Sequence, residues 1–167
     1  MATEMFFEDY VLDEARTSTG RTITETDFVI HAGHTGDFYP HHMDAEWCKT
    51  QSFGARIAHG TLVFAVSIGM SAGEINPRAF TYGYDALRFV GPVYIGDTIT
   101  VQVAVAAKRD DVKRLERGFV DERCVVTNQR GETVMVCNHI ISVERRQPEQ
   151  SPASAPVATP EKHERDQ

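Results

Sequence analysis

Residues 60–70 read Gly-Thr-Leu-Val-Phe-Ala-Val-Ser-Ile-Gly-Met, and this apolar run decides the fold of the chain. The run carries no charged residue and is too long for an ordinary strand, so it predicts a buried helix that ends near Gly73. A membrane span requires about 20 such residues, roughly twice the length of this run. The run therefore predicts a helix inside a protein core and no passage through a membrane.

Downstream of this helix, apolar residues recur at every second position, most clearly at Ile99, Val101, Val103 and Val105. This alternation is typical of a strand with one buried face. Similar patterns over 80–90, 115–128 and 133–143, separated by turn residues, predict antiparallel strands with short connections. Together these elements indicate an α+β fold in which one curved antiparallel sheet wraps the long central helix.

Two shorter helices are predicted upstream of the apolar run. Thr24, with Asp27 three residues later, is an N-cap pattern that opens a helix running toward Gly36. Asp44 is a good N-cap for a second short helix that ends before Phe53.

Length and composition are those of one soluble domain, over residues 1–145, followed by a tail. Residues 146–167 are rich in proline and polar residues and are predicted to be disordered. The N-terminus lacks the basic start of a signal peptide, which predicts a cytoplasmic location. The net charge of −7 is spread along the chain, so the composition gives little support to nucleic-acid binding.

The cysteines Cys48, Cys124 and Cys137 are odd in number and widely spaced, and no two form a Cys-x-x-Cys pair. This spacing argues against a disulfide framework and against a structural zinc site. We expect three ordinary buried thiols.

An acid and an imidazole, Asp37 and His42, lie five residues apart across Pro40. A proline cannot continue a helix and pushes the residue before it toward extended geometry, so the chain should turn here. Both side chains can then converge on one cleft and share a water molecule. Imidazole titrates close enough to neutrality to take and return a proton, so the pair is a candidate for acid–base chemistry.

Gly60 stands at the start of the predicted buried helix. The first amides of a helix have no intrahelical partners and carry the positive end of its dipole. Because glycine has no side chain, a carbonyl group can approach this backbone closely. Gly60 is therefore a candidate oxyanion donor, which would stabilise negative charge developing on a thioester oxygen.

Simpler interpretations of these residues remain open. Asp37 is a common turn residue and His42 can be a surface histidine, while Gly60 can merely relieve crowding where the helix begins. A metal-dependent hydrolase is another alternative, suggested by the histidines at 31, 34, 41, 42 and 59. His31 and His34 have a ligand-like helical spacing, but no acidic or cysteine residue completes a recognisable motif, so no metal site is predicted.

Four motifs resemble the MaoC-like hydratases and dehydratases, the hot-dog-fold family that includes the (R)-specific enoyl-CoA hydratases. The motifs are Gly-Asp-Phe-x-Pro-x-His at 36–42, Phe-Gly at 53–54, Arg-Ile-Ala-His-Gly at 56–60, and Phe-x-x-Pro-Val-x-x-Gly-Asp-Thr at 89–98. The resemblance runs from about Thr22 to Val143 and is fairly specific when the motifs are taken together. It implies a hot-dog domain.

Carried over to this sequence, the resemblance makes Asp37 and His42 the catalytic pair that holds the water added to a 2-enoyl thioester. Gly60 matches the oxyanion-hole amide. The implied reaction needs no metal or redox cofactor, because the coenzyme A or pantetheine thioester is itself the substrate. The resemblance also implies a homodimer or higher assembly with active sites at the interface.

Further residues are candidates for binding the substrate. Tyr39 and His41 flank Pro40 and are expected to shape or polarise the acyl pocket. Arg56 and Arg88 are candidates for phosphate binding, although surface or interface ion pairs explain them equally well. His59 precedes Gly60 and is expected to order the start of the helix more than to do chemistry.

Two positions depart from the family pattern. Tyr39 stands where many members have asparagine, and Ile68 replaces a serine that approaches the site. Ser67 lies one position early, and because one residue turns about 100° around a helix, it should not substitute.

Three functions therefore stay open. A hydratase or dehydratase acting on 2-enoyl or 3-hydroxyacyl thioesters leads, followed by a hot-dog thioesterase and by a thioester-binding protein without catalysis.

Overall fold

The computed structural model describes residues 4–72 and 76–146. The predicted disordered tail lies outside the described residues from position 147 onward, and so does the predicted helix end at Gly73. Within the described ranges no helix is long and apolar enough to cross a membrane. The helices are α1 (Glu25–Thr35), α2 (Pro40–Met43), α3 (Ala45–Lys49) and α4 (Gly60–Ser71). The strands are β1 (Ala15–Thr17), β2 (Arg21–Thr22), β3 (Ala79–Phe89), β4 (Thr98–Asp110), β5 (Arg117–Asn128) and β6 (Thr133–Glu144).

The strands of the described ranges form one antiparallel sheet in the order β1-β4-β5-β6-β3, and the two-residue β2 also pairs with β4. The four long strands lie close to the ranges predicted from the sequence, and burial alternates most clearly along β4. Strands β4 and β5 are joined at residues 111–116, and β5 and β6 turn at Gly131, where φ is +78°. The long strand β3 pairs with β6 alone, so it forms one edge of this sheet.

Helix α4 lies against the concave face of the sheet, where it packs beside β4. Its buried side chains Leu62, Val63 and Val66 belong to one core cluster with the inward-facing residues of the strands. Those residues alternate with exposed ones along β4, which is why the period of two in the sequence was informative. The predicted α+β arrangement, a central helix wrapped by a curved sheet, is confirmed.

The short helices also follow their predicted signals. Thr24 and Asp27 form a capping box at the start of α1, which ends at Gly36 in the left-handed conformation. The Asp44 side chain accepts a hydrogen bond from the Trp47 amide at the start of α3. The expectation that Pro40 marks only a turn was incomplete, because Pro40 is the first residue of α2. Proline suits that position since the amide it lacks would have no partner there.

The sequence analysis missed the N-terminal part of the sheet. β1 and β2 are only three and two residues long, and all five residues are exposed, so no alternation marks them. Before them, Phe7 and Tyr10 pack in a second apolar cluster at the far end of the concave face, with Val120 and Ile141. The N-terminal segment thus covers the part of the sheet that α4 does not reach. The three cysteines are free and buried, as predicted.

Candidate active site

Asp37 lies in the short loop between α1 and α2. Gly36 ends α1 with φ of +77°, a conformation that turns the chain away from the helix axis. The Asp37 carboxylate then accepts a hydrogen bond from the Tyr39 amide at 3.2 Å, which ties the loop to the start of α2. The side chain of Asp37 remains exposed, so its carboxylate is accessible to a substrate or to water.

His42 lies on α2 and only 6% of its surface is exposed. Its Nδ1 donates a hydrogen bond to the Ile57 carbonyl oxygen at 2.7 Å. Because a nitrogen that donates carries the proton, Nε2 of the neutral ring is left with a lone pair. Burial is the main cause that lowers the pKa of His42 from its ordinary value, and the imidazoles of His59 and His41 lower it further. The hydrogen bond to the Ile57 carbonyl acts in the opposite direction and raises the pKa. The structure therefore holds a neutral base at this position.

His59 immediately precedes α4 and is 1% exposed. Its Nε2 donates to the backbone oxygen of Asp37 at 2.8 Å, and its ring stacks on that of His42 with centroids 3.7 Å apart. The residue thus connects the Asp37 loop, α2 and the start of α4. Its predicted role in ordering the start of the helix remains a prediction, and this geometry is compatible with it.

Asp37, His42 and His59 each offer an oxygen or nitrogen atom, and these atoms lie within 4.8 Å of one another. The three residues are ligand types for a metal ion. Nε2 of His59 donates to a carbonyl oxygen, so that nitrogen is protonated and cannot bind a metal, whereas the buried Nδ1 of the same ring has no hydrogen-bond partner among the described residues. One water molecule fits between the Asp37 carboxylate and His42, since two hydrogen bonds span that distance. Among the described residues, this cluster does not include His31 or His34.

Gly60 is the first residue of α4, with its backbone at the positive end of the helix dipole. A Cβ atom placed on Gly60 would lie 2.6 Å from the Phe89 ring, so a larger residue here would require this half-exposed ring to move. Both residues line a cavity of about 480 Å³, together with His41 and His42. The oxyanion candidate and the imidazole of the predicted pair therefore face the same cavity.

The predicted substrate-binding residues fall into two groups. His41 lines the cavity. The Tyr39 ring lies beside the His41 ring, with their centroids 4.7 Å apart, and is exposed to solvent. Arg56 is held in a two-pronged ion pair with Glu25, which is the surface ion-pair alternative left open by the sequence. Arg88 is exposed on β3 and donates to its neighbour's backbone oxygen, which leaves most of its guanidinium donors accessible.

The second departure from the family pattern concerns Ile68 and its neighbour Ser67. Ser67 is buried, and its hydroxyl has no hydrogen-bond partner among the described residues, so it does not replace the missing serine near Gly60. Ile68 lines a different and larger cavity, at the opposite end of α4.

The sequence analysis missed two contacts that shape the site. Phe89 was quoted only as part of a motif, yet its ring forms the wall beside Gly60. His31 was weighed as a metal ligand, and instead its Nε2 shares a hydrogen bond with the Thr61 hydroxyl at 2.8 Å. This bond joins α1 to the first turn of α4. In the sequence, the spacing of His31 and His34 on α1 was the available sign that His31 has a role. It did not reveal the hydrogen-bond partner of His31, because Thr61 lies 30 residues away.

Among proteins of known sequence, a (R)-specific enoyl-CoA hydratase of Rhodospirillum rubrum is 33% identical over 100 residues, which cover 60% of this chain and 69% of that protein. Protein MaoC of Klebsiella aerogenes is 36% identical over 110 residues, or 65% of this chain. The match spans only 32% of the Klebsiella protein, so this chain corresponds to about a third of its length.

Solved structures show the same fold. A monoamine oxidase regulatory protein from Archaeoglobus superposes with a TM-score of 0.81 at 33% identity, covering 86% of this chain and 97% of that one. A MaoC-like dehydratase from Rhodospirillum rubrum gives a TM-score of 0.76 at 25% identity, covering 86% and 99%. The sequence pattern of the MaoC-like domain matches residues 8–124. The chain therefore belongs to the MaoC-like domain family and has its hot-dog fold.

Proposed function

We propose that this protein is a hydratase or dehydratase that adds water reversibly to a 2-enoyl thioester and forms a 3-hydroxyacyl thioester. The observation that carries the proposal is that His42 and Gly60, at the start of α4, line one cavity, while a carboxylate oxygen of Asp37 lies within 4.8 Å of a ring nitrogen of His42. Relatives named as enoyl-CoA hydratases and as 3-hydroxybutyryl-CoA dehydratase, each about 33% identical, support the same reaction class. The substrate is a thioester of coenzyme A or of a carrier-protein pantetheine, and no cofactor takes part.

The hydrogen bonds of His42 assign its role in this reaction. Its Nδ1 is occupied by the Ile57 carbonyl, so the lone pair on Nε2 accepts the proton that water loses as the oxygen attacks C3. Asp37 holds the same water from the other side and, in its protonated form, delivers a proton to C2. A water molecule then carries the proton that His42 gained back to the Asp37 carboxylate, so both residues return to their starting states. The sum of these steps is the addition of one water molecule across the double bond.

The thioester carbonyl gains negative charge as the oxygen attacks C3. An amide that already points at this oxygen stabilises the enolate without having to reorganise. The Gly60 amide at the start of α4 meets this requirement, and the helix dipole adds to its effect. The Phe89 ring beside Gly60 limits the access of water to the same position.

We also propose that the protein is a homodimer that pairs through β3. This strand is a long sheet edge, and it carries the exposed aromatic residues Phe80, Tyr82 and Phe89. An exposed edge of this kind is a template for pairing with another chain, and a two-fold axis lets β3 pair with a second copy of itself.

The experiment follows the absorbance of the enoyl thioester with short, branched and dicarboxylic 2-enoyl-CoA substrates. Asp37→Asn and His42→Ala are compared with the wild type, and His34→Ala serves as control because His34 is exposed and lies outside the cluster. Each site variant should lose about 10² to 10⁴ in rate, the usual contribution of a positioned acid or base. The control should keep the wild-type rate.

Two results would contradict the proposal. Wild-type protein that hydrates none of these substrates but releases free thiol from acyl-CoA would be a thioesterase. Wild-type protein that binds the thioesters with neither reaction would be a binding protein without catalysis.

A further inference from the structure

The sheet places two of the three cysteines directly opposite each other. Cys124 on β5 is the antiparallel partner of Cys137 on β6. Both side chains belong to the core cluster beneath α4, and each is 2% exposed. The third cysteine, Cys48, lies on α3, and its sulfur is 3.5 Å from two backbone carbonyl oxygens. The fold therefore makes one thiol pair, Cys124 and Cys137, and keeps Cys48 apart from it.

The spacing of the thiol pair suits a disulfide bond. Directly opposed residues of antiparallel strands have Cα atoms about 4.5 to 5.5 Å apart, and a disulfide joins Cα atoms about 4.4 to 6.8 Å apart. The Cβ atoms of such residues need to close by about 1 Å to reach the spacing of a disulfide. The register is regular on both sides, where Arg123 pairs with Asn138 and Val125 with Val136. The bond can therefore form without a rearrangement of the sheet.

The two thiols of the pair are chemically unequal. The hydrogen bond between them lowers the pKa of Cys137 and raises that of Cys124, while burial raises the pKa of both thiols. A thiolate is the form of cysteine that attacks an oxidant. Cys137 is therefore the sulfur that reacts first, and Cys124 is the sulfur that resolves the product.

The larger cavity, of about 620 Å³, gives a small molecule a route to the thiol pair. Glu122 and His139 line this cavity, and they are cross-strand partners that lie two positions from the two cysteines. Residues two positions apart share a face of a strand, so the thiols are the next pair along the same face. Tyr84 also lines the cavity and packs against the core cluster that contains both thiols.

The burial of the pair limits the oxidants that can react with it. Hydrogen peroxide is little larger than water, and the cavity has room for many molecules of this size. A peptide disulfide such as glutathione disulfide must bring its own sulfur into contact with a thiolate. The thiols are too deeply buried for such contact. The structure thus favours a hydroperoxide over disulfide exchange.

We propose that Cys124 and Cys137 form a reversible disulfide when a hydroperoxide oxidises the folded protein. The Cys137 thiolate attacks one oxygen of hydrogen peroxide, the O–O bond breaks, and hydroxide leaves, so that Cys137 becomes a sulfenic acid. The Cys124 sulfur then attacks the Cys137 sulfur and loses its proton, and the sulfenic hydroxyl leaves as water. In sum, two thiols lose two hydrogen atoms and one peroxide molecule becomes two water molecules.

The disulfide protects the core of the protein. A sulfenic acid that finds no second thiol oxidises further to sulfinic and sulfonic acids, which are irreversible and charged. Such a charge beneath α4 would be buried without a partner. The disulfide avoids this damage, and a dithiol reductant returns both thiols by exchange. This inference does not rest on the proposed function.

The test treats the reduced, folded wild-type protein with hydrogen peroxide. Catalase then removes the peroxide, and iodoacetamide in urea blocks the remaining thiols. Trypsin cuts after Arg123, Arg130 and Arg145, so it places the two cysteines in separate peptides, 124–130 and 131–145. Mass spectrometry without reductant should find these peptides linked and two hydrogen atoms lighter than their sum. Dithiothreitol should release them, and a non-reducing gel should show the oxidised chain at the mass of a monomer.

Controls separate this bond from general oxidation. Cys48→Ala should keep the linked peptides, whereas Cys124→Ala should show sulfinic acid at Cys137. Peroxide added to the protein in urea should link all three cysteines in mixed pairs. Glutathione disulfide added to the folded protein should leave both thiols of the pair free. The oxidised wild type should melt about 4 °C or more above the reduced protein, because the bond restricts the unfolded chain.

Several outcomes would overturn the inference. They are folded wild type whose thiols survive peroxide, sulfinic acid at Cys137 without linked peptides, and a disulfide that includes Cys48. An oxidised form that melts at or below the reduced protein would also overturn it, because the bond would then strain the sheet. Linkage by glutathione disulfide as complete as linkage by peroxide would refute the choice of oxidant. All these measurements are independent of hydratase activity, so a failure of the proposed function would leave them interpretable.

Discussion

The imidazole rings of His42 and His59 stack with their centroids 3.7 Å apart and their planes inclined by 23°. Each ring is fixed by a hydrogen bond to a backbone carbonyl, His42 to Ile57 and His59 to Asp37. The two bonds hold both rings in one tautomer and set the distance between the predicted base and the loop that carries its acidic partner. The neighbouring His59 ring disfavours a proton on His42 and is one of the causes that lower the pKa of His42.

The first prediction concerns the pH dependence of activity. Burial lowers the pKa of His42 below its ordinary value of 6.5, the Ile57 carbonyl opposes this, and His59 and His41 lower it further. Because the neutral ring is the base, the acid limb of kcat/KM for hydration should have its midpoint below pH 6.5. His41→Phe removes one neighbouring imidazole and should move this acid limb to higher pH. An acid limb at or above pH 6.5 in the wild type would contradict the assignment.

The same shift has a consequence for stability. A histidine whose pKa is lower in the folded protein than in the unfolded chain binds its proton preferentially when unfolded. The free energy of unfolding should therefore decrease as the pH falls below 6.5, with contributions from His42 and from His31, whose pKa is also lowered, mainly by burial. Urea unfolding at several pH values measures this. His42→Phe should show a smaller loss between pH 7 and pH 5 than the wild type.

The second prediction concerns the hydrogen bond from His59 to the Asp37 backbone. His59→Phe keeps an aromatic ring against His42 but removes the donor, which leaves the Asp37 carbonyl without its partner. The free energy of unfolding should fall by about 0.5–1.5 kcal/mol, the usual net contribution of one hydrogen bond, since Asp37 itself is exposed. His34→Phe, the same change at an exposed position of α1, should alter stability by less than about 0.5 kcal/mol. Equal losses of unfolding free energy in His59→Phe and His34→Phe would contradict this prediction.

The third prediction concerns Gly60 and Phe89. Gly60→Ala places a Cβ atom 2.6 Å from the ring of Phe89, which is 48% exposed and has to leave its rotamer, so it should destabilise the protein by about 0.5–1.5 kcal/mol and lower activity. In the double variant Gly60→Ala/Phe89→Leu the clash is relieved and stability should recover. Activity should stay low, because the methyl group still keeps the thioester oxygen from the amide.

A control for this experiment lies on the same helix. Gly69 has no atom within 4 Å of an added Cβ, so Gly69→Ala should leave activity intact and raise stability by up to about 1 kcal/mol. Full recovery of activity in the double variant would show that Gly60 matters only for packing.

The fourth prediction concerns the edge of the sheet. Tyr82 is 60% exposed on β3, and Tyr82→Lys would place two like charges near each other when two β3 strands pair. Sedimentation equilibrium should show a dimer for the wild type and at least about tenfold weaker association for the variant. Val112→Lys, at the 85% exposed tip between β4 and β5, should leave the dimer unchanged. A wild type that sediments as a monomer would refute the pairing.

Much of the fold was readable because its signals are local. The capping box at Thr24 and the alternation in β4 each depend on residues a few positions apart, and both predictions were confirmed. β1 and β2 were missed for the opposite reason. These strands are short and exposed, and only their pairing with residues near 100 defines them.

The same distinction between local signals and long-range contacts applies to the candidate active site. The sequence by itself determined the residue types and their order: an acid, a proline and a histidine within residues 37–42, and a glycine at the start of the apolar run at 60–70. Local chemistry decides these features, since a proline turns the chain and a helix start leaves its amides free. Only the tertiary structure decided that Arg56 pairs with Glu25, that Phe89 covers Gly60 and that Thr81 shares a cavity with Arg16. Each of these contacts joins elements more than 25 residues apart, and their meeting depends on how the sheet curves around α4.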